Sequence, residues 1–341
     1  MSQLTTLKWA KAVLKSIILT NIIPKTPSSI SKNFRHLDET KIDLVAQSLK
    51  KHYFSQPDHR YGATLEEYLT SEKGKNDFQN HLIRRMDIDR RTVIPWLQHV
   101  KSLCGANVLE IGCGTGCSTI ALAEQGAKVT AVDVNCNSIE VAKDRCEIYD
   151  LDAHFICANA CELYSILANK RYDFIIFFAA LEHMTHEERL VAMKKTWEML
   201  PEGGLWVVIE TPNRLWFYDG HTSHLPFFSW LPDNLAFAYS QFSPREGFNT
   251  AFQNINEESM HEFLRLGRGV SFHEFDLTLK KVEELKVISS LELFLRKKNV
   301  LWKVMRRMSA NHKYESVLRK VGPRIHKGFY QPNLNLIIEK N

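Results

Sequence analysis

No Cys-x-x-Cys pair occurs in the 341 residues, although seven cysteines are present: Cys104, Cys113, Cys117, Cys136, Cys146, Cys157 and Cys161. Zinc ribbons need other spacings, and an odd number of scattered thiols does not make a disulfide framework. Several of the seven sit inside apolar periodic segments. Reduced thiols serving as small core residues are therefore expected, and with them a cytosolic type of compartment. Uncharged apolar runs of about twenty residues are also missing, so no membrane-spanning helix is expected. Internal repeats and low-complexity tracts are absent as well.

Acidic residues are lacking before Asp38, whereas Lys8, Lys11, Lys15, Lys25, Lys32 and Arg35 all fall in that stretch. Between Leu4 and Ile23, Lys8, Lys11 and Lys15 share one helical face, and Trp9, Val13, Leu14, Ile17 and Ile18 cover the opposite one. Lys15 interrupts the apolar segment and no small-residue cleavage site follows, which argues against a secretory signal. Such a helix can lie on a membrane surface or pack on its own domain. The second is the commoner outcome and is the expectation, with peripheral membrane contact as the alternative.

The composition is ordinary and globular, at 44% hydrophobic and 24% charged residues. A chain of this length buries enough apolar surface to fold without disulfides or metals. Its formal charge of +5 is too mild to imply a nucleic-acid partner.

Up to about Ser102 the pattern is helical. Asp38 can cap a helix running to Lys51, and Thr64 with Glu67 forms a capping box before another. From Ala106 short apolar runs alternate with helical stretches, the mark of βαβ units around a parallel sheet. The runs are 107–111, 128–132, 154–157, 172–178 and 205–209. The helical stretches between them are 118–125, 137–149, 161–169 and 186–200. Beyond the fifth run lies an aromatic-rich segment with Trp216, Phe217, Tyr218, Phe227, Phe228, Trp230 and Tyr239, read as a lid or pocket insertion. A helix at 257–266, a strand at 270–277, a basic helical stretch to about Lys327 and an antiparallel closing strand at 334–339 complete the expectation.

Glu110-Ile-Gly112-Cys-Gly114-Thr-Gly116 stands where the first strand ends and a helix begins. Glycines there let the backbone turn sharply and approach a ligand, with helix N–H groups facing it. Dinucleotide enzymes use a similar loop, but the third slot of their Gly-x-Gly-x-x-Gly pattern is Cys117 here, which counts against NAD. Asp133 ends the second strand, where a carboxylate can accept both hydroxyls of a ribose.

On these residues the chain resembles the class I S-adenosylmethionine-dependent methyltransferases. Glu110, the alternating Gly112, Gly114 and Gly116, and Asp133 match that signature. Ala180-Leu181-Glu182-His183-Met184 matches the segment after strand four, and Leu200-Pro-Glu-Gly-Gly204 the turn before strand five. The resemblance covers residues 106–213. It implies a Rossmann-like methyltransferase fold: a mostly parallel sheet with an antiparallel last strand, an N-terminal helical cap and an insertion after strand five. It implies S-adenosylmethionine as cofactor, held by Glu110, Gly112, Cys113, Gly114, Gly116, Asp133, Val134, Asn159, Ala160, Ala179 and Glu182. Where the family commonly has Asp after strand three, this chain has Asn159, which can still accept through its amide oxygen but adds no charge. The expected organisation is a helical cap over 1–102, the cofactor-binding core over 103–213, the insertion, late strand and basic helical segment over 214–330, and a closing strand over 331–341.

Methyl transfer from a sulfonium is an in-line displacement whose rate comes mainly from alignment, with a base needed for a hydroxyl or ammonium acceptor. His183, at the mouth of the implied pocket, is the first candidate for that base, and His221 and His224 of the insertion are the next. Asp219, His221, His224 and His273 offer metal-type ligands, but loop histidines of this kind more often bond to backbone, and no metal is expected. Arg268 can hold an acceptor carboxylate or phosphate, or tie the insertion to the domain. The basic residues between Arg296 and Lys327 are read as a solvated helical face.

The expectation is thus a methyltransferase of a small-molecule or glycan-type acceptor, acting at oxygen, cytoplasmic, with nucleic acid an unfavoured partner. The alternatives are an RNA or protein methyltransferase, for which the basic C-terminal stretch speaks, and a binding module without turnover. The Asn-Pro-Pro-Tyr type of segment that marks many amino-group modifiers of nucleic acid is absent; Ala179-Ala-Leu-Glu-His183 stands there instead.

Overall fold

The computed structural model describes residues 34–55, 64–167, 170–245, 247–252, 254–298 and 310–341. The lysine-faced N-terminal segment, and with it the membrane-surface alternative, lies outside the described residues. So does part of the basic stretch, residues 299–309.

One sheet of seven strands organises the chain: β1 (Asn107–Ile111), β2 (Lys128–Asp133), β3 (His154–Cys157), β4 (Phe174–Phe178), β5 (Leu205–Pro212), β6 (Lys286–Ser290) and β7 (Asn333–Glu339), in the order β3-β2-β1-β4-β5-β7-β6. The first five pair in parallel, and β7 inserts antiparallel between β5 and β6. The central strands are apolar almost throughout because helices cover both faces. Leu109, Ile175, Phe177, Trp206 and Val208 enter one core layer, and Val108, Phe174, Ile176, Val207 and Ile209 the other. The Trp206 indole is fully buried and donates to Thr196 Oγ1 at 3.1 Å, so its polar atom is satisfied inside the core.

Helices before β1 form the cap, beginning with α1 (Glu39–Ser48), which Asp38 caps through Lys41 N. The capping box at Thr64 and Glu67 is present. Further on, α2 (Arg85–Arg91) packs against the helix that follows the glycine turn, α3 (Cys117–Ala123). The fully buried Arg145 ties cap to core. It donates to Thr115 O at 2.9 Å in the glycine turn, and to Leu82 O at 2.9 Å and His81 O at 2.7 Å in the cap.

Three expectations are corrected. Residues 270–277 are not a strand. Ser271 and Glu274 form a capping box and start the helix Phe272–Thr278, while Val270 keeps only an isolated bridge to Asn213. The sheet's late strand is β6 instead, an edge strand with little apolar content. Second, Cys136 and Cys157 form a disulfide with Cα atoms 5.2 Å apart. Asp133 lies opposite Cys157 in the β2–β3 register, and this brings together two cysteines 21 residues apart. Cys113, Cys117 and Cys146 are free and buried as expected, whereas Cys104 is exposed. Third, the insertion's aromatics pack mainly on one another. Phe228, Phe237, Phe248, Phe252 and Phe263 build a small separate core.

Candidate active site

The sheet winds outward from β1 to β2 and β3 and then, after β3, resumes on the other side of β1 with β4, and this reversal opens a crevice at the strands' carboxyl ends. A cavity of about 370 Å3 occupies it, within the ordinary range for small-molecule sites. One wall is the glycine turn. Gly112 has φ +84°, and a Cβ there would stand 2.7 Å from both Ala180 Cβ and Phe178 O. Only glycine permits β1 and the exit of β4 to approach so closely. Gly114, at φ +49°, faces open space, since a Cβ on it would meet nothing within 4 Å.

Asp133 joins the next wall to this one. Its Oδ2 accepts from Gly114 N at 2.8 Å and its Oδ1 from Asn135 N at 2.9 Å. Burial pushes the carboxyl pKa up, and the backbone amides pull against that shift. Asp133 lines the cavity, and a carboxylate oxygen can accept a second hydrogen bond, so hydroxyl groups of a ligand can donate to it there. Asn159 also lines the cavity, its Oδ1 accepting from Cys161 N at 3.0 Å.

Of the residues assigned to the cofactor from sequence, Gly112, Cys113, Gly114, Asp133, Val134, Asn159, Ala160 and Ala179 line the cavity. Glu110 stands behind the turn. It is fully buried and accepts from Ser118 Oγ and, at 2.7 Å, from Thr119 Oγ1, the two hydroxyls of the first turn of α3. Burial pushes its pKa up to about 7 against those two hydrogen bonds. Gly116, in the left-handed region at φ +81°, is the N-cap of α3. Glu182 is buried beneath the turn Leu181–His183.

His183 lines the cavity, with its Nδ1 2.8 Å from Arg265 O. The turn carrying it is held by the fully buried Arg189, which donates to Leu181 O at 2.8 Å and Met184 O at 3.3 Å and pairs with Glu274 at 2.9 Å. His221 lies beside His183, the rings tilted with centroids 5.6 Å apart, and burial lowers its pKa. His224, at φ +55°, does not join them. Asp219 is spent on its own loop, accepting from the amides of His221, Thr222 and Ser223 at 3.1, 3.1 and 2.7 Å. His273 faces Asp276 at the surface. Arg268 binds Phe228 O at 3.2 Å, Leu231 O at 2.7 Å and Asp233 at 3.2 Å, so it ties the insertion down.

Sequence reasoning missed the cap's share of the cavity. Tyr53, His81, Arg85, Ile88 and Asp89 form its far wall, and Glu210 and Arg265 complete it. Asp89 is buried, which pushes its pKa well up. The charges of Glu210 and Glu110 add to that shift and Arg85 opposes it. Glu210 sits at φ +59° beside an irregularity in the β5–β7 register; such a bulge re-aims a side chain. The one available signal was Arg85 and Asp89 four residues apart, on one helical face.

Residues 108–204 match the family model described as "Methyltransferase domain". Over that stretch the chain is similar to methyltransferase domains. Within it the chain is 34% identical over 98 residues to a ubiquinone biosynthesis O-methyltransferase of Coxiella burnetii, covering 29% of this chain and 41% of that protein. It is 34% identical over 95 residues to a magnesium-protoporphyrin O-methyltransferase of Rhodobacter capsulatus, covering 28% and 40%. A cypemycin N-terminal methyltransferase of a Streptomyces species is 39% identical over 61 residues, covering 18% and 25%. The chain thus spans about two fifths of the length of the first of these relatives. Among solved structures, the magnesium protoporphyrin IX methyltransferase of Synechocystis with bound S-adenosylmethionine aligns with 53% of this chain and 80% of its own, at 21% identity and a TM-score of 0.36. Among the described residues no helix is long and apolar enough to cross a membrane.

Proposed function

We propose that the protein methylates a small-molecule or glycan-type acceptor at oxygen, with S-adenosylmethionine as donor. The observation that carries this is the Asp133 carboxylate, bound to the glycine turn at Gly114 and open to the cavity. The free backbone face of Gly114 gives a ligand close approach, and the Asp133 oxygens suit the two hydroxyls of a ribose. The two O-methyltransferases among the relatives favour oxygen over nitrogen.

Bound there, S-adenosylmethionine supplies a methyl group already activated on a sulfonium. The acceptor oxygen forms the new C–O bond as the C–S bond breaks, the electron pair stays on sulfur, and the acceptor's proton leaves to a base or to water. Two imidazoles line the cavity, His183 and, from the cap, His81, and His183 is the candidate for receiving that proton. Cap residues Arg85 and Asp89, with Glu210 opposite, present polar groups for orienting the acceptor. In this reading residues 1–102 close the site, 103–213 bind the cofactor, 214–330 supply His221 and support the turn at His183, and 331–341 complete the sheet.

The test is incubation with labelled S-adenosylmethionine and fractionated host extract. Label is expected in a small-molecule or glycan fraction. Label in RNA or protein alone would overturn the acceptor class, and failure to bind the donor in calorimetry would overturn the activity.

A further inference from the structure

Glu182, His183 and His221 each bring one ligand-type atom within 4.8 Å of the others. Glu182 is fully buried and contributes from beneath the cavity floor. Its Oε2 accepts from Thr211 Oγ1 at 3.1 Å. Its Oε1 has no hydrogen-bond partner among the described residues and stands 3.9 Å from His221 Nε2. Leaving a buried polar atom unsatisfied is costly, the more so for a charged group.

Neither imidazole, when neutral, directs its ring N–H at this oxygen. Arg265 O can only accept, so His183 Nδ1, 2.8 Å away, carries the proton and Nε2 holds a free electron pair. At His221 the argument runs through Thr222. Its hydroxyl has one proton, directed to Gly267 O at 2.8 Å and Leu266 O at 3.3 Å. It therefore accepts from His221 Nδ1 at 2.9 Å, and His221 Nε2 is again the unprotonated nitrogen. With the carboxyl ionised and both rings neutral, Glu182 Oε1 and His221 Nε2 face each other with no hydrogen between them, and a ring nitrogen of His183 completes a group of ligand atoms within 4.8 Å of one another.

We propose that this point is a divalent-cation site of the first-row, nitrogen-and-oxygen-binding kind, such as Zn2+ or Mn2+. Two imidazoles and a carboxylate are a recurring ligand set for such ions and leave further positions open. The outer hydrogen bonds have the expected form. Each histidine directs its remaining ring N–H to a fixed oxygen, which sets its tautomer and orientation. The 3.9 Å gap between Glu182 Oε1 and His221 Nε2 is close to the roughly 3.3 Å edge of a tetrahedral site with 2.0–2.1 Å bonds. This set shares only His221 with the Asp219, His221, His224 and His273 combination weighed from the sequence, which the fold does not assemble. Because His183 also lines the cavity, an open position of the site would face the acceptor, whose oxygen would bind the cation and lose its proton more easily, to water and not to His183, whose ring nitrogens are then both engaged. The site stands on the geometry of these three side chains; its use in catalysis rests on the methyl-transfer reading above.

The test uses the full-length protein, stripped with a chelator and then titrated by calorimetry with Zn2+, Mn2+ or Mg2+ alone, with elemental analysis of the protein as purified. One Zn2+ or Mn2+ per chain is expected. His221→Ala and Glu182→Gln are expected to abolish that binding, and Thr222→Val to weaken it about 10–100-fold by freeing the His221 ring. His224→Ala is expected to bind metal as the wild type does. Circular dichroism of each metal-free variant checks its fold, and the near-isosteric Glu182→Gln keeps the test available should His221→Ala fail to fold. No ion bound, or stoichiometric binding that survives both His221→Ala and Glu182→Gln, would overturn the site. Calorimetry with S-adenosylmethionine on the stripped protein reads the methyl-transfer proposal separately, because Asp133 and the glycine turn are outside the ion's ligand set.

Discussion

Asp133 Oδ2 accepts the Gly114 amide proton at 2.8 Å, so the end of β2 and the turn after β1 are one rigid unit at the cavity wall. The carboxylate has two tasks there: it fixes the turn and presents its remaining lone pairs to whatever enters. Asp133→Ala removes both. Detectable binding of S-adenosylmethionine in calorimetry is expected to vanish while circular dichroism stays that of the folded protein. Unchanged affinity in a folded variant would remove Asp133 from the cofactor site.

Gly112→Ala tests the close approach of the strands. A methyl group would stand 2.7 Å from Ala180 Cβ and from the Phe178 carbonyl, both on the segment leaving β4, at a φ of +84°. Neither neighbour is the end of a flexible side chain, so the backbone must move. Destabilisation of at least about 2 kcal/mol is expected from the combined clash and backbone strain. A denaturant midpoint equal to that of the wild type would mean that the turn after β1 is not packed against β4 in this way.

His186 links the insertion to the core, with Asp233 at 3.5 Å and Glu274 at 3.6 Å. Hydrogen bonds to these two carboxylates raise its pKa to about 9. A histidine with a raised folded-state pKa stabilises fully below its unfolded value, near 6.5, and loses that contribution as pH rises through the folded value. Thermal midpoints measured from pH 6 to 10 should therefore fall less steeply in His186→Ala than in the wild type between about 6.5 and 9. Parallel curves would show that His186 is not charged in the folded protein.

The central parallel strands were legible in the sequence because burial on both faces makes them largely apolar, most completely in Phe174–Phe178, while the edge strand β3 is short and only half-buried. Strand β6, Lys-Val-Ile-Ser-Ser, carries no such run. It is recruited by pairing with β7, and its own composition contributes little. The misread segment at 270–277 has apolar residues compatible with either period, and the Ser271–Glu274 capping box decides for helix. The same contrast governs the site. Gly112, Gly114 and Asp133 lie at strand ends, where local sequence dictates position, whereas Tyr53, His81 and Asp89 reach the cavity only through packing of the cap. His221 meets Glu182 across 39 positions of sequence, a juxtaposition that only the fold creates. The Cys136–Cys157 pair was hidden likewise, since it depends on the register of β2 with β3.

Reduction of that disulfide gives a further measurable outcome. It closes a loop with a sequence separation of 21, and removing a cross-link of such length costs about 3 kcal/mol in the chain-entropy account. Cys136→Ser with Cys157→Ser, or the wild type in a thiol reductant, is expected to unfold at a lower denaturant concentration. Equal midpoints in oxidised and reduced protein would show that the bridge adds no stability.

Asp89 offers a test of the cap that needs no knowledge of the acceptor. The residue is 8% exposed, and burial together with the charges of Glu210 and Glu110 outweighs the opposing Arg85, so its carboxyl holds its proton well above the usual carboxylate range. An acid with a raised folded-state pKa gives the opposite linkage to a salt-bridged one. The folded protein binds the proton more tightly than the unfolded chain, so stability declines as pH rises above the unfolded pKa, near 3.9. Asp89→Asn has the shape of the protonated acid and cannot ionise. It is expected to match the wild type in thermal midpoint at low pH and to exceed it increasingly as pH is raised. Were Asp89 instead an ionised partner of Arg85, the asparagine variant would be the less stable protein at neutral pH and the difference would shrink on acidification. The sign of that difference at pH 7 decides whether the far wall of the cavity presents a neutral acid or a charge to the incoming acceptor.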